Sequence, residues 1–285
     1  MTFSFSIVIP AKNESTALKN FLPILTKQYP DTEIIVINDG STDNTLEICL
    51  ENKVKVISHP YSKGNGASIK TGALAAKNEI IVFMDGDGQH NPKDIDSLLE
   101  GIKAGNDMVI GARQGLQSQA SIFRGGANTF YNKLATLIVG HKVKDLTSGF
   151  RAVNADKFRE FLHLYPNGFS YPTTSTMAFF RAGYSVKYVP ITVNKRIGDS
   201  HLHLVKDGVR FLLIIFKVGT LYSPLKVFLP ISLVFFGMAT MHYGHTYIDQ
   251  GRFTNMSALL YITSVLIFMM GLISEQITSL MYSRN

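Results

Sequence analysis

At 285 residues the chain is long enough for one sizeable α/β domain with an appendage, and it need not hold two globular domains. Its single cysteine, Cys49, excludes a disulfide framework and suits a reducing compartment. A formal charge of +7 fits an anionic partner, whether nucleic acid, nucleotide or membrane leaflet, without choosing among them.

The first ten residues carry neither a basic stretch nor a long apolar run, so no signal peptide is expected and the front of the chain should stay in the cytoplasm. Short apolar, β-branched runs follow at 6–9, 33–37, 54–57, 80–84 and 108–110, with helical stretches such as 41–50 and 91–102 between them. This rhythm predicts an α/β domain of β-α-β units around a largely parallel sheet. Ligands of such sheets bind at the carboxyl ends of the strands, where residues 10–14, 38–39 and 85–89 fall. From Gly111 the pattern loosens into a helix over 122–139, a turn-rich stretch at 144–151 and a strand over 186–189 that ends at Pro190. This half reads as the acceptor side. The chain shows no internal repeat and no low-complexity tract.

Residues 203–221 mix Lys206, Arg210 and Lys217 with apolar residues at helical spacing, the pattern of an interfacial amphipathic helix, which Pro224 breaks. Two apolar stretches follow at 225–248 and 256–281, each near the roughly 20 residues that cross a bilayer as helix. Lys206, Arg210, Lys217 and Lys226 crowd the near side and Arg284 the far end, while the loop 249–255 holds one Asp and one Arg. The positive-inside rule then predicts a hairpin with both termini cytoplasmic, in the plasma membrane. Pro230 is tolerable in such a span, and Glu275 reads as an interface residue at least as readily as a functional one. The expected divisions are a domain over 1–200, a juxtamembrane helix over 201–223 and a membrane anchor over 224–285.

The sharpest chemical feature is the run Asp85-Gly86-Asp87-Gly88-Gln89, directly after an apolar strand. Two carboxylates at a strand end with turn-permitting glycines form a hard-oxygen site suited to Mg²⁺ or Mn²⁺, which would bridge diphosphate oxygens. The buried run 34–37 leads into Asn38-Asp39-Gly40-Ser41-Thr42-Asp43, where Asp39 at the tip is placed to accept hydrogen bonds from a base or ribose. Ser41 and Asp43 read as helix caps. Pro10-Ala11-Lys12-Asn13-Glu14 stops the first strand and opens a helix.

Together these segments resemble the family 2 glycosyltransferases, which open on P-x-x-N-E, then D-G-S-x-D, then D-x-D; the resemblance covers roughly residues 5–200. It implies a GT-A, Rossmann-like fold, a nucleotide diphosphate sugar donor, a divalent metal and inversion at the anomeric carbon. Pro10, Lys12, Glu14, Asp39, Lys63, Asp85 and Arg113 would contact the donor, and Asp85, Asp87 and Gln89 the metal. Further segments resemble the polyprenyl phosphate branch of the family, which includes dolichol phosphate mannose synthases and enzymes with two membrane helices. Gly111-Ala112-Arg113 is similar to its G-x-R, whose arginine approaches the diphosphate, and residues 145–151 are similar to its D-x-T-S-G-F-R. Residues 196–201 are similar to its R-x-G-x-S-K, with His201 where lysine is common. The implied acceptor-phosphate residues are Arg124, Arg196, Ser200 and His201. The implied catalytic set is Asp85, Asp87, Arg113, Arg124 and Arg196.

The expected reaction is transfer of a hexose from UDP-hexose or GDP-mannose, with a lean to the former, onto polyprenyl phosphate at the cytoplasmic membrane face. A phosphate acceptor is already ionised, so no strong general base is needed. Thr173 and Thr174 stand where many relatives place an acid. Membrane lipid is an expected partner, self-association through the membrane helices is open, and nucleic acid is not expected because the basic residues cluster beside the apolar stretches. A processive polysaccharide synthase would be expected to carry Q-x-x-R-W, and this chain has no tryptophan. A transferase acting on a hydroxyl and a non-catalytic membrane scaffold are the remaining alternatives.

Overall fold

In the computed structural model, residues 4–113, 122–168, 171–193, 213, 216, 217, 219–221 and 223–283 are described. They contain a seven-stranded sheet in the order β3-β2-β1-β4-β6-β5-β7. The strands are β1 Phe5–Ala11, β2 Glu33–Asn38, β3 Lys55–Ser58, β4 Ile80–Phe83, β5 Met108–Arg113, β6 Arg151–Asn154 and β7 Val186–Ile191. β1 pairs in parallel with β2 and β4, β2 with β3, and β5 with β7, whereas β6 runs antiparallel to both its neighbours. Every residue of β1 and β4 is buried, which is why these strands read as unbroken apolar runs rather than as alternations.

Helix α1 (Ser15–Gln28) buries Leu18, Phe21, Leu22 and Leu25, and α4 (Asp94–Lys103) buries Ile95, Leu98 and Ile102, both into the cluster that holds Ile7, Ile9, Val36 and Val82. Further helices before the C-terminal pair are α2 (Thr45–Glu51), α3 (Asn65–Ala75), α5 (Ile122–Val139), α6 (Ala155–Glu160) and α7 (Tyr171–Arg181). Most boundaries shift by a few residues, and two of the shifts have a structural reason. Helix α2 starts at Thr45 rather than at 41, because the intervening residues bond sideways to the start of α1. Strand β7 runs through Pro190, paired with Ala112, which an edge strand tolerates. Strand β6 starts on Arg151, the last residue of the stretch that reads as turns, and the sequence does not predict it.

The chain divides into two compact units, Met1–Lys133 with Lys142–Val209, and Leu134–His141 with Arg210–Asn285. The end of α5 thus groups with the C-terminal helices, and Lys226 Nζ donates to Ile138 O at 3.0 Å within that second unit. Here α8 (Pro224–Gln250) and α9 (Asn255–Ser283) form a hairpin, each helix long and apolar enough to cross a membrane and with little of its apolar surface buried in the protein. Their seam repeats every seventh residue: Ser232, Ala239 and Thr246 on α8, Ser257, Ser264, Gly271 and Thr278 on α9. Small residues let the backbones approach, and Ser232 and Ser264 each donate to the other's carbonyl, at 2.9 and 3.0 Å. Glu275 serves the seam too: its Oε2 accepts from Leu225 N at 3.2 Å, satisfying a backbone donor at the start of α8.

Candidate active site

The parallel strands of the first unit bring three polar tips to one edge of the sheet. After β1, Asn13 takes a left-handed conformation (φ 56°), uncommon for a residue with a side chain. Its Oδ1 accepts from Thr42 N at 2.8 Å and its N donates to Ser41 Oγ at 3.0 Å. Asp43 accepts from Ser15 N at 3.1 Å and from Thr45 N at 3.1 Å. Ser41 and Asp43 therefore tie the first two tips together, a wider task than capping their own helix.

Asp39 at the tip of β2 is buried and accepts four hydrogen bonds: His59 Nδ1 at 2.7 Å, Lys63 N at 2.8 Å, Ser62 Oγ at 2.8 Å and Gly64 N at 2.9 Å. A carboxylate has about four acceptor positions, so Asp39 fixes the loop 59–64 with its full capacity. Burial works against its ionisation, but the His59 contact and the loop donors outweigh burial and hold its carboxyl below the usual range. The loop continues into α3, whose first turn lies against a neighbouring backbone: Gly66 N donates to Gly168 O at 3.0 Å, and a Cβ on Gly66 would sit 1.9 Å from Pro166 O. Only glycine fits there.

The third tip is the Asp85–Gln89 turn after β4. Asp85, Gln89 and His90 line a polar cleft of about 60 Å³ with Arg113, Thr147, Ser148, Gly149 and Val193. The Asp85 side chain is 34% exposed, with His90 Nε2 3.5 Å from its Oδ2. Burial raises its proton affinity, yet His90 and the charges of Arg113 and Arg151 hold the carboxyl below the ordinary value. The His90 ring stacks on Phe150 with centroids 4.8 Å apart, and its buried Nδ1 has no hydrogen-bond partner among the described residues. Asp87 Oδ1 accepts from Gln89 N at 3.1 Å, closing the turn.

Arg113 and the 145–151 segment prove to be one assembly. Arg113 donates from Nε and Nη2 to the two oxygens of Asp145 at 2.8 and 2.9 Å, a bidentate fork, and from Nη2 to Thr147 Oγ1. Ser148 Oγ donates to Gly111 O at 2.6 Å, and Tyr171 Oη to Gly149 O at 2.9 Å. A Cβ on Gly149 would lie 2.8 Å from Asp85 Oδ2, so any side chain there would press on that carboxylate. The fork aligns the guanidinium while leaving it 30% exposed at the cleft.

Of the residues read from sequence, the structure gathers Asp85, Gln89 and Arg113 around one cleft and places Asp39 in a separate, saturated network. Pro10 is buried in β1, Glu14 precedes α1, and Lys12 and Lys63 are exposed. Thr173 and Thr174 are buried in α7. The side chain of Arg124, together with Arg196, Ser200, His201 and most of the expected amphipathic helix, lies outside the described residues. His59, His90 and Asp145 are additions that the sequence reading did not assign a site role. A signal existed for the first two, since His59 directly follows β3 as Asp39 follows β2, and His90 adjoins the DGDGQ run.

Among the described residues no group of three or more His, Cys, Asp or Glu side chains is arranged to hold a metal ion. Asp85, Asp87 and Gln89 instead offer two carboxylates and an amide on one short turn. That oxygen donor set fits Mg²⁺ or Mn²⁺, which keep positions for substrate phosphates, and not a closed zinc site.

The family model of glycosyl transferase family 2 matches residues 6–162. The chain belongs to that family. A second model, the GtrB C-terminal hairpin, matches 223–280 of this glycosyltransferase. Among curated relatives, it is 32% identical over 65% of its length to the uncharacterized protein MJ1222 of Methanocaldococcus jannaschii, covering 79% of that protein. It is 27% identical to the undecaprenyl-phosphate mannosyltransferase of Micrococcus luteus, over 68% of this chain and 86% of that one. Against the polyprenol monophosphomannose synthase of Mycolicibacterium smegmatis the identity is 26%, over 67% and 77% of the two chains. The glucosyl-3-phosphoglycerate synthase of Mycobacterium tuberculosis, solved with Mn²⁺ and UDP, superposes with a TM-score of 0.60 at 21% identity, over 75% of this chain and 80% of that one. At that identity the likeness establishes the GT-A fold alone.

Proposed function

We propose that this family 2 glycosyltransferase moves a hexose, with inversion, from UDP-hexose or GDP-mannose to a polyprenyl phosphate at the cytoplasmic face of a membrane. The observation that carries the reading is that one chain joins a cleft pairing Asp85 with Arg113 to a hairpin apolar enough to sit in lipid. The names of the Micrococcus and Mycolicibacterium relatives support the acceptor class.

In this reading the loop held by Asp39, with Pro10, Lys12, Glu14 and Lys63, receives the nucleotide. Mg²⁺ or Mn²⁺, held by Asp85, Asp87 and Gln89, would offset charge growing on the leaving diphosphate. Arg113, aligned by Asp145, adds a fixed positive charge to the same side. Arg124, Arg196, Ser200 and His201 hold the acceptor phosphate, which attacks as an anion and needs no strong base. The buried Thr173 and Thr174 suit a site without an acid at that position. Both termini are assigned to the cytoplasm, and self-association through the hairpin is compatible with its exposed apolar faces.

Membranes holding the protein, given undecaprenyl phosphate, Mn²⁺ and labelled UDP-glucose, UDP-galactose, a UDP-N-acetylhexosamine or GDP-mannose, should form a butanol-soluble glycolipid with one donor. No lipid product from any donor, with donor binding intact, would overturn the reading. Label entering material insoluble in organic solvent would favour a hydroxyl acceptor.

A further inference from the structure

Among the described residues Arg151 is the largest fully buried side chain, and the donor reading gives it no task. Its guanidinium donates from Nη1 to Pro172 O at 3.1 Å, Ser175 Oγ at 2.7 Å and Thr176 Oγ1 at 3.1 Å, and from Nη2 to Ser148 O. Its Cζ lies 5.6 Å from the centre of the Tyr171 ring. Among the described residues no carboxylate stands within ion-pair distance of it, and Nε has no partner. Burying a cation with no carboxylate in direct contact is unfavourable, and a neutral side chain of the same length would fill the space at lower cost. The charge therefore calls for a use beyond packing.

The surroundings supply one. The Ser148-Gly149 peptide forms the wall on which the Asp85 carboxylate rests, so close that a Cβ on Gly149 would meet Asp85 Oδ2 at 2.8 Å and push it away. Both carbonyls of that wall are held from behind, Ser148 O by Arg151 and Gly149 O by Tyr171 Oη. Ser148 Oγ is fixed in turn to Gly111 O, two residues before Arg113.

We propose that Arg151 is a positioning residue for transfer, its buried guanidinium clamping the Ser148-Gly149 wall to the start of α7 and so setting where Asp85 stands opposite Arg113. The proposal rests on the donor-site reading of the cleft. Arg151→Met keeps length and removes charge and donors, whereas Arg151→Lys keeps the charge and loses the fork. With full-length protein in lipid nanodiscs, Arg151→Met should unfold at or above the wild-type temperature. Its kcat should nonetheless fall about 100-fold with donor KM changed less than about threefold, since a small misplacement near the reacting atoms has that effect. Backbone amides of 146–149 should exchange with deuterium faster, and Arg151→Lys should recover part of both losses.

Wild-type kcat in Arg151→Met, or activity lost only in step with folded protein, would overturn the proposal. Should Arg151→Met not fold, Tyr171→Phe removes a single hydroxyl from the same wall and should give a smaller kcat loss, with faster exchange at 146–149. Unchanged exchange and rate there would count equally against the clamp. If wild type transfers no sugar, the functional reading fails, and the exchange of 146–149 in Arg151→Met still decides the clamp.

Discussion

Two strand tips of the same sheet carry an aspartate each, and their environments differ. Asp39 after β2 is buried and accepts four hydrogen bonds from its own protein. Asp85 after β4 stands partly exposed in a polar cleft, with the His90 ring at 3.5 Å. Both carboxyls are held ionised, but by different means: short hydrogen bonds for Asp39, and for Asp85 mainly His90, backed by the charges of Arg113 and Arg151. A saturated carboxylate builds a wall, while one with open lone pairs can meet a ligand. In the proposed donor site, the difference separates scaffold from chemistry.

The contrast can be broken most directly at Asp85. Asp85→Asn should lower kcat for transfer by about 1,000-fold, the loss expected for a charge acting on the transition state, with urea stability within about 1 kcal/mol of wild type. Asp39→Ala should show the reverse emphasis. It leaves Lys63 N, Gly64 N and His59 without their acceptor, so stability to urea should fall by about 3 kcal/mol, with a raised donor KM rather than a lost kcat. Equal stability losses in the two variants would erase the distinction. Gly149→Ala should reduce kcat about 10-fold by pressing on Asp85 from the wall, with little change in unfolding temperature.

The smallest effect is in acid. Asp39 and Asp145 have folded-state values below those of the unfolded chain, so the stability they contribute is complete above the unfolded value and is lost as pH falls through the folded one. Stability should therefore be flat near neutrality and decline below about pH 4. Asp39→Asn should flatten that acid limb in a urea titration across pH, and Asp85→Asn should change it less.

How much of this was legible follows from distance along the chain. Strands β1, β2 and β4 were readable because burial on both faces demands a continuous apolar run, a purely local signal. The tips followed from the same runs, as the first polar residues beyond them. Strand β6 is four residues, Arg-Ala-Val-Asn, and its buried arginine disguises a core position as a surface one. The fork between Arg113 and Asp145 joins residues 32 apart in the chain, and nothing in either motif states that the other is its partner. Ser41 and Asp43 read as local caps because the helix that follows them is visible in sequence, while the neighbouring tip to which they bond is not.

By itself the sequence determined the α/β rhythm, the oxygen-rich turn after β4 and the two apolar helices, because strand burial, turn chemistry and membrane length each leave a periodic or compositional trace within a few residues. Tertiary structure alone decided that Asp39 is saturated and Asp85 is not. It also decided that Arg113 is locked by Asp145, and that a buried Arg151 stands behind the wall of the cleft. Those outcomes depend on which lone pairs are already filled by groups arriving from other strands, and residue type does not carry that information.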